Sequence, residues 1–89
     1  MIAVKRLVLD VLKPHQPNAL EFSCSVAAVG PDYRIRLTVI EVDESTETLQ
    51  MVVEGGAIDF DAIQSNINAM GGSLHSIDEV EVRNEPEAG

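Results

Sequence analysis

The chain has 89 residues, of which 15 are Asp or Glu and six are Lys or Arg, and its formal net charge at pH 7 is −9. A domain this small buries only a modest share of its surface, so we expect it to associate with further copies of itself. It lacks an apolar run long enough to span a membrane, and its acidic composition, in which we find no clustered basic patch, excludes the usual nucleic-acid-binding classes.

The first half of the chain predicts a strand, a helix and a second strand. Residues 3–12 alternate, with Leu7, Leu9 and Val11 on the more apolar side. Two prolines then end the strand, and Asn18 three residues before Glu21 resembles a capping box that opens a helix to about residue 29. Alternation resumes over residues 33–42, which indicates the second strand.

The second half predicts a hairpin, a helix and a last strand. Turn residues at 43–46 lead into a third alternating segment, and an apolar stripe from Phe60 to Met70 follows an N-capping Asp59. In the last strand, from about 73 to 82, the apolar residues change parity, so we expect a bulge near Asp78 and Glu79. We place the single domain at residues 1–83 and expect residues 84–89 to be a disordered tail.

This order of elements is that of a ferredoxin-like βαββαβ sandwich, an α+β fold in which both helices cover one face of a four-stranded antiparallel sheet. The end of the first strand, the hairpin turn and the start of the last strand then share one edge of the sheet, the top edge. That edge is expected to collect both histidines and three carboxylates, namely His15, His75, Asp43, Glu44 and Glu47.

Four segments resemble signature stretches of an archaeal family known as domain of unknown function, family 211. They are Arg6 to His15, Glu41 to Glu47, Ile58 to Ile63, and Gly71 to Val80. The Lys-Pro-His end of the first segment and the Gly-Gly-Ser-x-His-Ser-x-Asp-Glu-Val run of the last are the most specific parts. The resemblance implies a ferredoxin-like fold and a ring-like homo-oligomer, and it implies no established activity.

The hairpin carboxylates Asp43, Glu44 and Glu47 are hard oxygen donors of the kind that Ca²⁺ and Mg²⁺ prefer, although the EF-hand pattern is absent. The competing interpretation is a solvated acidic turn. His15 and His75 are candidate ligand-binding residues, since imidazoles with nearby carboxylates form a recognisable metal environment. Alone, each histidine is equally explained as a hydrogen-bonding residue that fixes a turn.

Asp10 and Asp78 form a second candidate metal site with the neighbouring Glu79. The first and last strands are expected to be antiparallel neighbours, so the pairing register can set the two aspartates side by side. Like charges at such range destabilise the fold unless a cation or an arginine intervenes. A divalent cation is one candidate partner, and Arg6 or Arg36 is the other.

The sheet face away from the helices, here called the open face, mixes apolar and charged residues and predicts a subunit interface. Its apolar members are expected to be Val8, Leu12, Ile40, Val42 and Val52.

Three functions remain open from the sequence. The first is a non-enzymatic oligomeric module that binds a small ligand or a divalent cation. The second is an enzyme that uses His15 and His75 as an acid and base pair, and the third is a purely structural assembly module.

We expect a cytoplasmic protein, because Lys5, Arg6 and Asp10 interrupt the N-terminal apolar stretch too early for a signal peptide. Cys24 is the single cysteine, and we expect a buried, unreactive thiol. Only two of the six basic residues are lysine. At high salt, ions screen the repulsion among acidic side chains, so a lysine-poor acidic surface is compatible with a halophilic source. It is equally compatible with an ordinary acidic protein.

Overall fold

Six elements follow one another in the predicted order. The structure, a computed structural model, describes residues 1–86. Its elements are β1 (Ile2–Pro14), α1 (Ala19–Ala27), β2 (Arg34–Val42), β3 (Thr46–Glu54), α2 (Phe60–Ala69) and β4 (Ser73–Asn84). The order confirms the ferredoxin-like α+β fold.

The four strands form one sheet in the order β2-β3-β1-β4, and every neighbouring pair is antiparallel. β1 is therefore central and pairs with both β3 and β4, as expected for the first and last strands. β2 and β4 are the two edge strands of the described residues, and each leaves one side of its backbone without a strand partner.

The core lies between the sheet and the two helices. On β1 the predicted inward residues Leu7, Leu9 and Val11 are at most 2% exposed, because alternate side chains of a strand point to one face. Each helix contributes two fully buried side chains, namely Phe22, Val26, Ile63 and Ile67. Side-chain caps start both helices: Asn18 accepts from the Glu21 amide at 2.9 Å, and Asp59 accepts from the Ala62 amide at 3.1 Å.

β4 carries two bulges opposite β1. Leu9 pairs with Ile77 and Val8 with Glu79, which leaves Asp78 as an extra residue and confirms the bulge that we expected there. A second shift lies between Asp10 and Val11, whose partners are Ser76 and Leu74. His75 is the extra residue at this second bulge, which the sequence analysis did not predict.

The sheet extends beyond residue 83, where we placed the end of the domain. Asn84 belongs to β4, and the Glu85 amide donates to the Met1 carbonyl at 2.8 Å. A salt bridge between Glu85 and Lys5 adds to this contact. Residues 87–89 of the expected tail lie outside the described residues.

The open face is less apolar than we expected. Val8 and Val52 are only 6% and 9% exposed. The register also sets Val42 opposite Glu47 after a shift past Val39, which moves Val42 to the helix side of the sheet. Leu12 and Ile40 are 39% and 62% exposed beside Asp10 and Thr48 on this face, as expected, and other exposed apolar side chains lie along the helix side of β4 and at the hairpin end of β2.

Two further observations concern the exposure of Cys24 and the capacity of the helices to cross a membrane. Cys24 is exposed, not buried as we expected, because the buried side of α1 is taken by Phe22 and Val26. Neither helix in residues 1–86 has the length and apolar character that crossing a membrane requires.

Candidate functional site

At the top edge, Lys13 is fully buried beneath the hairpin. Its Nζ donates to the Pro14 carbonyl at 2.8 Å and lies 3.1 Å from Oε1 of Glu47, which is its cross-strand neighbour on β3. The ammonium also lies 6.0 Å from the centre of the Phe22 ring. A buried lysine needs such partners, because an unpaired charge in the core is strongly destabilising.

His15 connects the end of β1 to the same hairpin. Its Nδ1 lies 3.0 Å from Oε2 of Glu47, and its Nε2 lies 2.9 Å from the Glu44 carbonyl. Both neighbours are acceptors, so the ring satisfies both only when each nitrogen carries a hydrogen, which is the imidazolium form. Accordingly, the hydrogen bond to Glu47, followed by that to the Glu44 carbonyl, raises the pKa of His15 above its usual range. We call His15, Lys13 and Glu47 the hairpin clasp.

Glu47 is fully engaged by its protein partners. Oε1 faces Lys13 and Oε2 faces His15, and these contacts, with His15 first, lower the pKa of Glu47. Asp43 and Glu44 are exposed on the turn, and the Asp43 amide donates to the Thr46 carbonyl at 2.8 Å. Glu47 therefore contacts Lys13 and His15, while the side chains of Asp43 and Glu44 are exposed, and cation binding by these three hairpin carboxylates stays a prediction.

His75 lies on the open face, beside Asp10. Its Nδ1 is 3.2 Å from Oδ2 of Asp10, and its side chain is 78% exposed. The two residues line a cleft of about 240 Å³ together with Leu12 and Thr48. The bulge at His75 produces this contact, because it releases the residue from the β1 ladder.

A second cleft of about 280 Å³ adjoins the first and shares Asp10 and Thr48 with it. Asp78 lines this second cleft from the other bulge of β4, and its Oδ1 accepts from Ser76 at 2.7 Å. Asp10 pairs with Ser76 in the ladder, so Asp10 and Asp78 face a common cleft without being direct cross-strand partners. We call the two adjoining clefts the Asp10 cleft.

Glu79 lies apart from the Asp10 cleft. Its Oε2 is 3.2 Å from Nε of Arg6, and Arg6 also lies 3.2 Å from Glu54. The hydrogen bond to Glu79 is the main cause that raises the pKa of Arg6. Arg6 therefore pairs with Glu79 and Glu54, whereas the sequence offered Arg6 or Arg36 as one of two candidate partners for the aspartates.

The spacing of the potential metal ligands and of the two histidines limits what one chain can bind. Within residues 1–86, no three side chains of His, Cys, Asp or Glu lie close enough together to hold a metal ion. His15 and His75 are near the same end of the sheet but contact different carboxylates, Glu47 and Asp10. They line no common cleft among those described above.

One further group of residues forms a cleft that was not predicted as a site, although its members were expected on the open face. Arg6, Arg34 and Arg36 line a third cleft of about 310 Å³ on the open face, together with Val52 and Glu54. The signal was present in the alternation of β2, which sets Arg34 and Arg36 on one side. Only the sheet order brings Arg6 to the same cleft.

Comparisons with known proteins agree with the resemblance found in the four sequence segments. Residues 5–85 match the model of the family called domain of unknown function 211, described as uncharacterized ArCR. The uncharacterized protein MJ0319 of Methanocaldococcus jannaschii is 40% identical over 80 residues, covering 90% of this chain and 82% of the relative. Neither description names an activity. This chain belongs to the archaeal family of domain of unknown function 211.

Proposed function

We propose that this chain is a non-enzymatic, self-associating module that binds a divalent cation in the Asp10 cleft. The observation that carries the proposal is the convergence of Asp10, His75 and Asp78 on adjoining clefts through two bulges of one strand. Bulges often re-aim side chains next to functional sites. Here they place His75 and Asp78 on the face where Asp10 of β1 lies, which the helices leave open.

The donor set suits a cation bound through few direct protein ligands. A carboxylate oxygen of Asp10 and an imidazole nitrogen of His75 together offer one hard donor and one borderline donor. Since no third such side chain of the described residues is close enough, water or a second copy of the chain completes the coordination. A cation there offsets the repulsion among the acids of this face.

Self-association is supported by the two edges of the sheet. On the helix side of β4, Ile77, Val80 and Val82 are 45%, 54% and 54% exposed. At the hairpin end of β2, Val39 and Val42 are 41% and 63% exposed. Two unpaired edges with apolar side chains favour pairing between copies, and an edge-to-edge contact of unlike strands generates a ring when it closes.

The enzymatic alternative has less support. An acid and base pair must face one substrate, whereas His15 and His75 belong to separate clusters. Both nitrogens of His15 already contact Glu47 and the Glu44 carbonyl, so the ring has no free position for proton transfer.

Thermal unfolding with and without cation tests the proposal. We expect Mg²⁺, Ca²⁺, Mn²⁺ or Zn²⁺ to raise the melting temperature relative to chelator, because a ligand that binds only the folded state stabilises it. D10N removes the carboxylate charge and H75Q removes the imidazole donor, so each should abolish the increase.

D43N is the matched control, since it removes the same charge from the hairpin turn. It should leave the increase intact. Loss of the increase in D43N with retention in D10N would move the site to the hairpin and contradict the proposal. Absence of any cation effect on the wild type would also contradict it.

A further inference from the structure

We infer that the cleft lined by Arg6, Arg34 and Arg36, here called the arginine cleft, binds a phosphate group, either free or as a small phosphomonoester. This site is separate from the Asp10 cleft and does not depend on the proposed function. It has a volume of about 310 Å³, which is at the lower end of small-ligand pockets. A phosphate group with a small organic substituent is of a suitable size.

The arginine cleft concentrates cations in an acidic chain. Three of the four arginines of the sequence line it, although the chain has a net charge of −9. Arg6 is held by Glu54 and Glu79 at 3.2 Å each. By contrast, no carboxylate in residues 1–86 forms a salt bridge with Arg34 or Arg36. Three cations against two anions leave the cleft a surplus of one positive charge.

The geometry of β2 directs the two unengaged guanidinium groups to one place. Arg34 and Arg36 are two residues apart on the strand, so their side chains leave the same face about 7 Å apart. In the ladder Arg34 lies opposite Glu54, and Arg36 lies opposite Val52. Val52 is 9% exposed and forms an apolar floor that strengthens charge contacts above it.

The donor pattern favours phosphate over carboxylate. Each guanidinium presents a planar fork of N–H donors that pairs with two acceptor oxygens, so one carboxylate matches a single fork. The three terminal oxygens of a phosphomonoester match two forks. Arg6 lies at the edge of the cleft with its two glutamates, so the surplus positive charge comes from Arg34 and Arg36.

The test is an NMR titration of the whole chain that follows the Nε–Hε signals of the arginines. The probes are inorganic phosphate and glycerol 3-phosphate, and sodium chloride at equal ionic strength is the reference. We expect saturable shifts at Arg34 and Arg36 with either phosphate probe, and the tighter probe identifies the source of the group. Shifts that match those with chloride, or that do not saturate, would overturn the inference.

Variants locate the site. R34Q/R36Q should weaken phosphate binding about tenfold or more, because each charge-assisted hydrogen bond contributes at least that factor. R83Q is the matched control, since Arg83 carries the same charge on β4 and does not line the cleft. R34K/R36K keeps the charge but loses the forks, and it should also bind more weakly.

Two results would overturn the assignment whatever the wild type shows. One is equal phosphate affinity of the wild type and R34K/R36K, which would mean that the site attracts phosphate through its charge alone and not through the guanidinium geometry. The other is an apparent dissociation constant that rises in proportion to protein concentration, which would mean that the acidic residues of another copy occupy the arginines.

Discussion

His15 joins the end of β1 to two acceptors of the β2–β3 hairpin, the Glu47 carboxylate and the Glu44 carbonyl. A neutral imidazole has only one N–H, so it can donate to one of them at most. The hairpin clasp is therefore strongest when His15 is protonated and Glu47 is ionised. The stability of this end of the molecule should therefore depend on pH, and His15 should control that dependence.

The first prediction concerns H15Q. The pKa of His15 is raised above 6.5 in the folded state, so its stabilising effect is complete below that pH and is lost as pH rises through the folded pKa. The pKa of Glu47 is lowered below 4.5, so its effect is complete above that pH and is lost as pH falls through the folded pKa. The melting temperature of the wild type should exceed that of H15Q most between these two values and least in alkaline solution.

Two glutamate variants serve as controls for this profile. E47Q should remove the pH dependence of the clasp, since the carboxylate is the main partner of His15. E44Q should keep it, because Glu44 contributes only its backbone carbonyl. A difference between the wild type and H15Q that is constant from acidic to alkaline pH would contradict the imidazolium assignment.

Contacts of this kind were the part of the site that could not be predicted from the chain. A lysine beside a proline at the end of a strand is typical of a solvated turn, yet Lys13 is fully buried. Its partner Glu47 is 34 positions away, and only the β1–β3 register brings the two together. The residue types indicated that charged side chains meet at the top edge, but which of them form pairs is determined by the tertiary structure.

At the scale of elements, α1 depends on packing more than on its own sequence. Ser23, Cys24 and Ser25 are middling helix formers at its centre, while Phe22 and Val26 are fully buried against the sheet. Phe22 also lies beneath the buried ammonium of Lys13. The helix should therefore be sensitive to changes on its buried side and tolerant elsewhere.

The second prediction compares two substitutions on this helix. F22A should lower the free energy of unfolding by about 3–5 kcal/mol, since it removes a fully buried aromatic ring and leaves a cavity. L20A changes a side chain that is 73% exposed and should stay within about 0.5 kcal/mol of the wild type. Urea unfolding measures both values, and similar losses in the two variants would contradict the assigned orientation of α1.

The periodicity of the sequence was sufficient to predict the order of the helices and strands and one of the two bulges in β4. Ile77 and Val80 differ in parity, and this indicated the bulge at Asp78. The bulge at His75 had a similar signal, since Leu74 and Ile77 are three residues apart and pair with Val11 and Leu9 on the same face. This second signal is weaker, because Leu74 lies only two residues after Gly72, where the start of the strand is ambiguous in the sequence.

At the scale of the whole molecule, the two sheet edges distribute apolar surface in a way that favours assembly. The exposed strip on β4 consists of Ile77, Val80 and Val82, which the helices leave uncovered. β4 is an edge strand from Ser73 to Asn84, with bulges at His75 and Asp78. A long edge with an apolar strip is an expected site of association between copies.

The third prediction is that V80K/V82K weakens self-association about tenfold or more, because each valine contributes more than 1 kcal/mol when fully buried at an interface. The control is L20K, which introduces a charge at an exposed apolar position on α1, a helix that contacts β2 and not β4. Light scattering after size-exclusion chromatography, over a range of protein concentrations, measures the subunit number. Equal dissociation in both variants, or a wild type that is monomeric throughout, would contradict assembly through β4.

The most direct test of the central claim is where a paramagnetic cation binds. Mn²⁺, added in small substoichiometric steps to ¹⁵N-labelled protein, broadens the NMR signals of nearby amides first. The proposed site predicts that the first signals lost are those of Asp10, His75 and Asp78, with reversal by chelator. First loss at the hairpin residues 43–47, or uniform broadening along the chain, would contradict cation binding in the Asp10 cleft.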